Sequence, residues 1–395
     1  MKRILAIWPT HREDWILPFK ALSNQFEFIF LSGISHDTEK ENFVQDFAQT
    51  IHWSDYNSAQ DLLAQIKPDK LVFMSVDNGL NIALNVNAIQ QNLPTYILQH
   101  GIYTNYKDYR TREKIWQKKE LAAQSNQAKS NSGFSSFQWI NNSLNGIQKL
   151  LLFPISLFIK ASQKVGPSWA AKHLSFEAKK PNQYICFSPF NATIHKEVDK
   201  IGEERIQYIG SPELTQYLKK ENDLIEEDFY LHIDQAFAEN SFGEETVSKD
   251  NMIQFYLKLN EFCLQQNAKL YIKLHPESFN SDWLPQDDNI VYLRKVENFN
   301  RYVQSAKGCF GFYSTMVIPA VYWKPTILFN IFYSGLQAAL QDIEQVKILP
   351  FYQFSVDDLS FNKGELEQDK LIKRFFYSKE AISLELLAEI LNAEN

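Results

Sequence analysis

Several signatures of familiar nucleotide chemistry are missing from this sequence. No Gly-x-x-x-x-Gly-Lys loop occurs. After the first apolar run, where a Gly-x-Gly-x-x-Gly fingerprint would stand, the chain reads "WPTHRED" (Trp8–Asp14). NTP hydrolysis and dinucleotide redox chemistry therefore lose support. Asp-x-Asp is absent too, so a metal clamp of that type is unsupported. Without one, a phosphate leaving group relies on side chains and a helix terminus.

Cysteine is scarce. Cys186, Cys263 and Cys309 each sit in an apolar segment with no Cys-x-x-Cys spacing, which reads as buried thiols in a reducing compartment. No apolar run reaches the ~18 residues of a membrane span. The N-terminus turns polar after about seven residues, too short for a signal peptide and right for a first strand. A cytoplasmic protein is expected. A basic excess is lacking as well: 40 Lys and Arg face 47 Asp and Glu, for a formal charge of −7. That balance argues against nucleic acid as a partner, because phosphate neutralisation needs excess cations.

What remains is ample apolar material. A chain of 395 residues that is 45% hydrophobic can build two cores. "RILAIW" (Arg3–Trp8), "FEFIFLS" (Phe26–Ser32), "KLVFMSV" (Lys70–Val76) and "TYILQH" (Thr95–His100) read as strands, with "REDWILPFKALSNQ" and "SAQDLLAQIK" as helices between them. The alternation restarts with "YICFSP" (Tyr184–Pro189), "IQYIGSP" (Ile206–Pro212), "DFYLHID" (Asp228–Asp234), "KLYIKLHP" (Lys269–Pro276), "NIVYLR" (Asn289–Arg294), "GCFGFY" (Gly308–Tyr313) and "TILFNI" (Thr326–Ile331). Strands alternating with helices predict βαβ units and parallel sheets. The expectation is an α/β protein of two Rossmann-like domains, 1–170 and 171–395. Residues 120–147, rich in Ser, Asn and Gln, read as a mobile loop or lid. "LLLFPISLFIK" (Leu150–Lys160) follows, with Lys149, Lys160 and Lys164 around it. It reads either as a buried interdomain helix or as a peripheral contact to the inner membrane through 150–160.

In open parallel sheets ligands bind beyond the carboxyl ends of strands, so the residues there are the candidates for chemistry. His275 closes an alternating strand, and Pro276 removes the next backbone donor. The imidazole reads as a donor to a phosphate oxygen or as a satisfied strand cap. Lys273 leans to the same face by period 2. Ser314 and Thr315 fall where a helix is predicted to begin, which suits a phosphate and equally suits an ordinary N-cap. Asp234 ends the run "FYLHID"; it fits a nucleophile or base, and just as well a turn aspartate. In the first domain, Gln99, His100 and Gly101 follow a strand, and Arg110 and Arg112 stand among tyrosines and lysines. That mixture suits a sugar or anionic acceptor, or a solvated helix face. Asp77 and His11-Arg12-Glu13 are weaker strand-end candidates.

His275-Pro276 followed by Ser314-Thr315, in the second of two Rossmann-like domains, resembles bacterial GT-B glycosyltransferases that use CMP-sugars. These include sialyltransferases, polysialyltransferases and Kdo transferases. The resemblance implies a GT-B fold, a CMP-sugar donor, a glycan acceptor that can be lipid-linked, and no metal or other cofactor. It implies that His275, Pro276, Ser314 and Thr315 hold the CMP phosphate, with Lys273 beside them. Within this group "YLHIDQ" is most similar to the retaining β-Kdo transferases, which would make Asp234 a nucleophile forming a glycosyl-enzyme and His275 its catalytic companion. Gln99, His100, Arg110 and Arg112 would face the acceptor. The expected reaction is Kdo transfer to a lipopolysaccharide or capsule glycan. The alternatives are sialyl or polysialyl transfer from CMP-sialic acid, glycerophosphate transfer from CDP-glycerol, which "QHG" and "HPE" also resemble, and a degenerate binding module without turnover.

Overall fold

The computed structural model describes residues 1–35, 42–102, 104–110, 134–162, 169, 172–239, 247–362, 364–380 and 382–394. Two parallel sheets organise them, each the centre of a Rossmann-like α/β domain, which is the GT-B fold.

The first sheet runs β3-β2-β1-β4-β5-β6-β7. Its strands are β1 (Lys2–Ile7), β2 (Phe26–Leu31), β3 (Gln49–Ile51), β4 (Lys70–Phe73), β5 (Thr95–Leu98), β6 (Gln183–Cys186) and β7 (Ile206–Tyr208). All described pairings are parallel. The central strands are apolar in runs because helices cover both faces. Leu71, Val72 and Phe73 of β4 are all buried. The helix Ala59–Ile66 starts on Ser58, whose side chain accepts from the Asp61 N–H, and buries Ala59, Leu62, Leu63 and Ile66 at helical spacing.

The second sheet runs β10-β9-β8-β11-β12-β13. Its strands are β8 (Phe229–Ile233), β9 (Lys269–Lys273), β10 (Ile290–Leu293), β11 (Cys309–Gly311), β12 (Thr326–Asn330) and β13 (Val346–Pro350). The helix Lys249–Gln265 turns Met252, Phe255, Tyr256, Leu259 and Cys263 onto the sheet. Phe255, Phe312, Phe329, Phe351 and Phe354 form one aromatic cluster there, with neighbouring ring centroids 4.8–6.2 Å apart. The three cysteines are buried and unbridged, and burial pushes each thiol up to about 12.

The division of the chain differs from the expected 170/171 boundary. One unit comprises 1–101, 116–213 and 381–395, the other 102–115 and 214–380. Residues 183–208 add two strands to the first sheet, pairing onto β5, before the second begins. The closing helix Ser383–Asn392 returns to the first unit, where Lys2 and Lys70 cap its last carbonyls. Lys70 Nζ lies 2.8 Å from the Ala393 oxygen and Lys2 Nζ 2.5 Å from that of Asn392, cations at the negative end of a helix. The stretch 120–147, expected as one loop, contains the helix Ser136–Ser143 and the start of the helix Gly146–Ser162. Residues 120–133 of that stretch lie outside the described residues.

Candidate active site

Each sheet reverses its strand order once, at β1/β4 in the first and at β8/β11 in the second. A crevice opens at such a reversal, beyond the carboxyl ends of the strands.

In the second unit Asp234, Lys273-Leu274-His275 and Tyr313-Ser314 leave β8, β9 and β11 at this reversal. The Asp234 N–H extends the β8–β9 ladder by one step, donating to the Lys273 carbonyl at 3.0 Å. The Asp234 side chain then turns inward. Its Oδ1 accepts from Tyr256 Oη at 2.8 Å, and its Oδ2 accepts from the His275 N–H and from Ser278 Oγ, both at 3.4 Å. His232 Nε2 stands 3.8 Å from Oδ1, beyond hydrogen-bonding distance but close enough to act through charge. Burial works to raise the Asp234 pKa. His232, Tyr256 and the His275 N–H outweigh burial and hold it below the usual carboxylate value. Asp234 is only 4% exposed, so its carboxylate faces the loop it supports and offers no surface to an incoming sugar.

That loop carries His275. The residue is extended at φ −67°, ψ 146° and caps a single turn, Pro276–Ser278. Its Nδ1 accepts from the Glu277 N–H at 3.3 Å. With Nδ1 as acceptor, Nε2 is the ring's donor, suited to a phosphate oxygen. The side chain is 39% exposed. Lys273 lies half-buried, and its Nζ donates to the Leu274 carbonyl at 3.1 Å. Burial lowers its pKa, with Asp234 opposing.

The predicted helix start at Ser314-Thr315 is displaced. The helix is Val317–Trp323, and residues 314–316 form the turn leading into it. Ser314 Oγ accepts from the Met316 N–H at 3.3 Å. The segment is held from behind: Gln235 Oε1 accepts from the Tyr313 N–H at 3.0 Å, and Tyr313 Oη accepts from the Phe332 N–H at 2.9 Å. Ser314 and Thr315 are left half-exposed at the reversal of the sheet.

In the first unit a cavity of about 480 Å³ sits at the β1/β4 reversal. Trp8, Thr10 and His11 line it after β1, Ser32 and Gly33 after β2, and Met74 and Ser75 after β4. Asn78, the N-cap of the helix Gly79–Gln90, closes one side. Polar groups share its surface about equally with the apolar faces of Trp8, Trp53 and Met74, a mixture that suits a sugar or another hydrophilic small molecule. Of the residues singled out from sequence, only His11 is among these. Thr10, Ser32, Ser75 and Asn78 were missed. Their signal was position after a strand, which many ordinary loop residues share.

The residues expected to face the acceptor do not line this cavity. Gln99 is buried: its amide donates to the Gly101 carbonyl and accepts from the Phe187 N–H, both at 3.1 Å, tying the β5 loop to the β6 loop. Gly101 is required by its φ of +62°, with nothing crowding the place of a β-carbon. His100 packs between Trp8 and Trp15, at centroid distances of 5.9 and 5.5 Å. It lines a water-sized space of about 40 Å³ with Glu213, whose carboxyl burial and Asp14 push up while Arg12 opposes. Arg110 belongs to the second unit, and Arg112 lies outside the described residues. Asp77 pairs with the buried Lys179 at 2.8 Å. Among the described residues no cluster of three or more His, Cys, Asp or Glu is arranged to hold a metal ion.

The sequence model of a family described as Alpha-2,8-polysialyltransferase (POLYST) matches residues 33–331, well over half of the chain. This chain belongs to the alpha-2,8-polysialyltransferase family. The match spans the β4 loop with Asn78, the His275 loop and the Ser314-Thr315 turn. It falls on the sialic acid alternative of the sequence reading and not on the Kdo branch. No curated protein matches this polysialyltransferase-family chain in sequence. Solved structures match it in fold. CalG4, the calicheamicin glycosyltransferase, superposes with a TM-score of 0.56 at 12% identity, covering 100% of both chains. The wall teichoic acid polymerase TagF gives 0.52 at 12% identity, over 99% of this chain and 88% of that one. At such identities the likeness is one of fold.

Proposed function

We propose that this chain transfers sialic acid from CMP-sialic acid to a hydroxyl of a glycan acceptor, without a metal ion. The match to the polysialyltransferase family carries this reading. In the step, the acceptor oxygen bonds to the anomeric carbon as the bond to the CMP phosphate oxygen breaks. The acceptor's proton passes to solvent water, and CMP leaves with the bonding electrons. His275, donating from Nε2, and the hydroxyls of Ser314 and Thr315 meet the charge that develops on the phosphate. Lys273 supplies a cation near the same loop, suited to the phosphate or to the sugar's own carboxylate. The cavity of the first unit takes the acceptor, with Thr10, Ser32, Ser75 and Asn78 as hydrogen-bonding groups.

Asp234 is assigned a positioning role. A glycosyl-enzyme needs a carboxylate oxygen at the anomeric carbon, whereas both Asp234 oxygens are buried and engaged by Tyr256, Ser278 and the His275 N–H. Direct displacement with inversion follows from that assignment, in place of the double displacement of the retaining Kdo transferases.

The test is the Asp234→Asn variant with intact-mass spectrometry of the wild type under turnover. The reading expects no covalent sugar adduct on the wild type and residual transfer by the variant, with a raised donor KM. An adduct lost with Asp234 would restore the nucleophile.

A further inference from the structure

The helix Gly146–Ser162 turns a stripe of large apolar residues away from the protein. Ile147, Leu150, Leu151, Leu157 and Phe158 share one face by the i, i+3, i+4 rule, and they are 74, 77, 61, 44 and 53% exposed. Phe137 of the preceding helix is exposed too, and it meets Phe153 edge-on at 4.6 Å between centroids, widening the patch. Soluble surfaces seldom leave such a contiguous apolar stripe in water.

The stripe is the outer side of a firmly attached hairpin. Trp139 is buried edge-on against Trp53 at 5.0 Å. Ser143 Oγ accepts from the Ala59 N–H at 2.8 Å, and the Ser143 carbonyl accepts from the Gln60 and Asn87 side chains at 2.9 and 2.8 Å. Leu144 and Leu152 join the core of the first unit.

Charge identifies the partner. In a chain of net −7, residues 121–176 contain five lysines, at 129, 149, 160, 164 and 172, and no Asp or Glu. Lys149 is exposed on the helix itself. The helix has 17 residues, about 25 Å of length, short of a ~30 Å hydrocarbon core. No described helix is long and apolar enough to cross a membrane.

We propose that this face rests in the interfacial layer of an anionic lipid bilayer, apolar stripe inward, with Lys149 among the headgroups. A second copy of the chain fits less well, since a two-fold interface built on this stripe brings Lys149 of both copies to the same patch with no acidic residue in 121–176 to pair with it. The inference is independent of the donor sugar and of the chemistry of transfer.

Flotation of the full chain with vesicles tests it, using phosphatidylcholine alone and phosphatidylcholine mixed with phosphatidylglycerol. The wild type is expected to float with the anionic vesicles and to be released by salt. The variant Leu150→Ser, Leu151→Ser, Phe158→Ser should float at least ~10-fold less, with an unchanged circular dichroism spectrum and melting midpoint. Lys149→Glu, which leaves the stripe whole, should weaken binding to the anionic vesicles alone. Equal flotation of wild type and triple variant would overturn the proposal, as would a wild type that floats with neither vesicle. A wild-type dimer in light scattering that the triple variant dissociates would overturn it in favour of self-association.

Discussion

Tyr256 Oη donates to Asp234 Oδ1 at 2.8 Å, joining the long helix of the second unit to the end of β8. The other oxygen of the same carboxylate holds the His275 N–H. A strand end, a helix and the His-Pro loop thus share one buried anion.

Tyr256→Phe removes a hydrogen bond to that anion and leaves its charge less well satisfied. A loss of about 1–3 kcal/mol in urea unfolding is expected. The donor KM should rise more than kcat falls, because His275 is displaced and not deleted. Unchanged stability and kinetics would mean that the shared carboxylate does not set the loop.

Asp234 also predicts a pH dependence. Its pKa lies lower in the folded chain than in the unfolded one, so the unfolded state binds more protons in acid. The stabilisation is complete above about pH 4, the unfolded carboxylate value, and is lost as pH falls through the depressed folded value. Urea midpoints measured from neutral pH into acid should therefore converge for wild type and Asp234→Asn as pH falls. A constant gap would contradict the shift.

His275→Ala should lower kcat by about 10²–10³ if its Nε2–H stabilises the leaving phosphate, with little change in the melting midpoint because the side chain is partly exposed. A loss that appears only as acceptor KM would move His275 out of the donor site.

Gly335 makes a structural prediction about the segment that follows β5. Its N–H donates to Asp108 Oδ1 at 3.2 Å, and a β-carbon there would stand 2.0 Å from Thr104 Oγ1 and 2.6 Å from the Asp108 Cβ. Nearby, Lys107 Nζ sits 3.8 Å over the Tyr333 ring. Gly335→Ala should cost about 1–3 kcal/mol through overpacking, read as a lower melting midpoint. An unaffected midpoint would mean that the 104–110 segment packs less closely than described.

Much of this fold was legible in the sequence. Apolar runs buried on both faces announced β1, β2, β4, β5 and β8 to within a residue or three, since covered parallel strands have little choice of composition. β3 and β13 escaped. β3 has three residues, and β13 ends in a proline, so neither gives a run long enough to read. The domain boundary escaped because β6 and β7 look the same whether they extend one sheet or start another. In the site, the presentation of His275 at a strand end followed from Pro276. The burial of Asp234 did not, because a strand-end aspartate left at the surface and one turned inward have the same neighbours in sequence. Only Tyr256 and Ser278, distant in the chain, distinguish them. The apolar run at 150–160 was read as a helix with two partners in prospect, and only exposure showed which side faces outward.

The central claim is the donor. Incubating the full chain with a sialylated oligosaccharide and, separately, CMP-sialic acid, CMP-Kdo and CDP-glycerol, in the presence of EDTA, tests it by CMP release and the mass of the glycan. The account predicts CMP release and growth of the glycan by sialic acid residues with the first donor alone. Growth from CMP-Kdo or glycerophosphate transfer in its place, or a requirement for added metal, would contradict it.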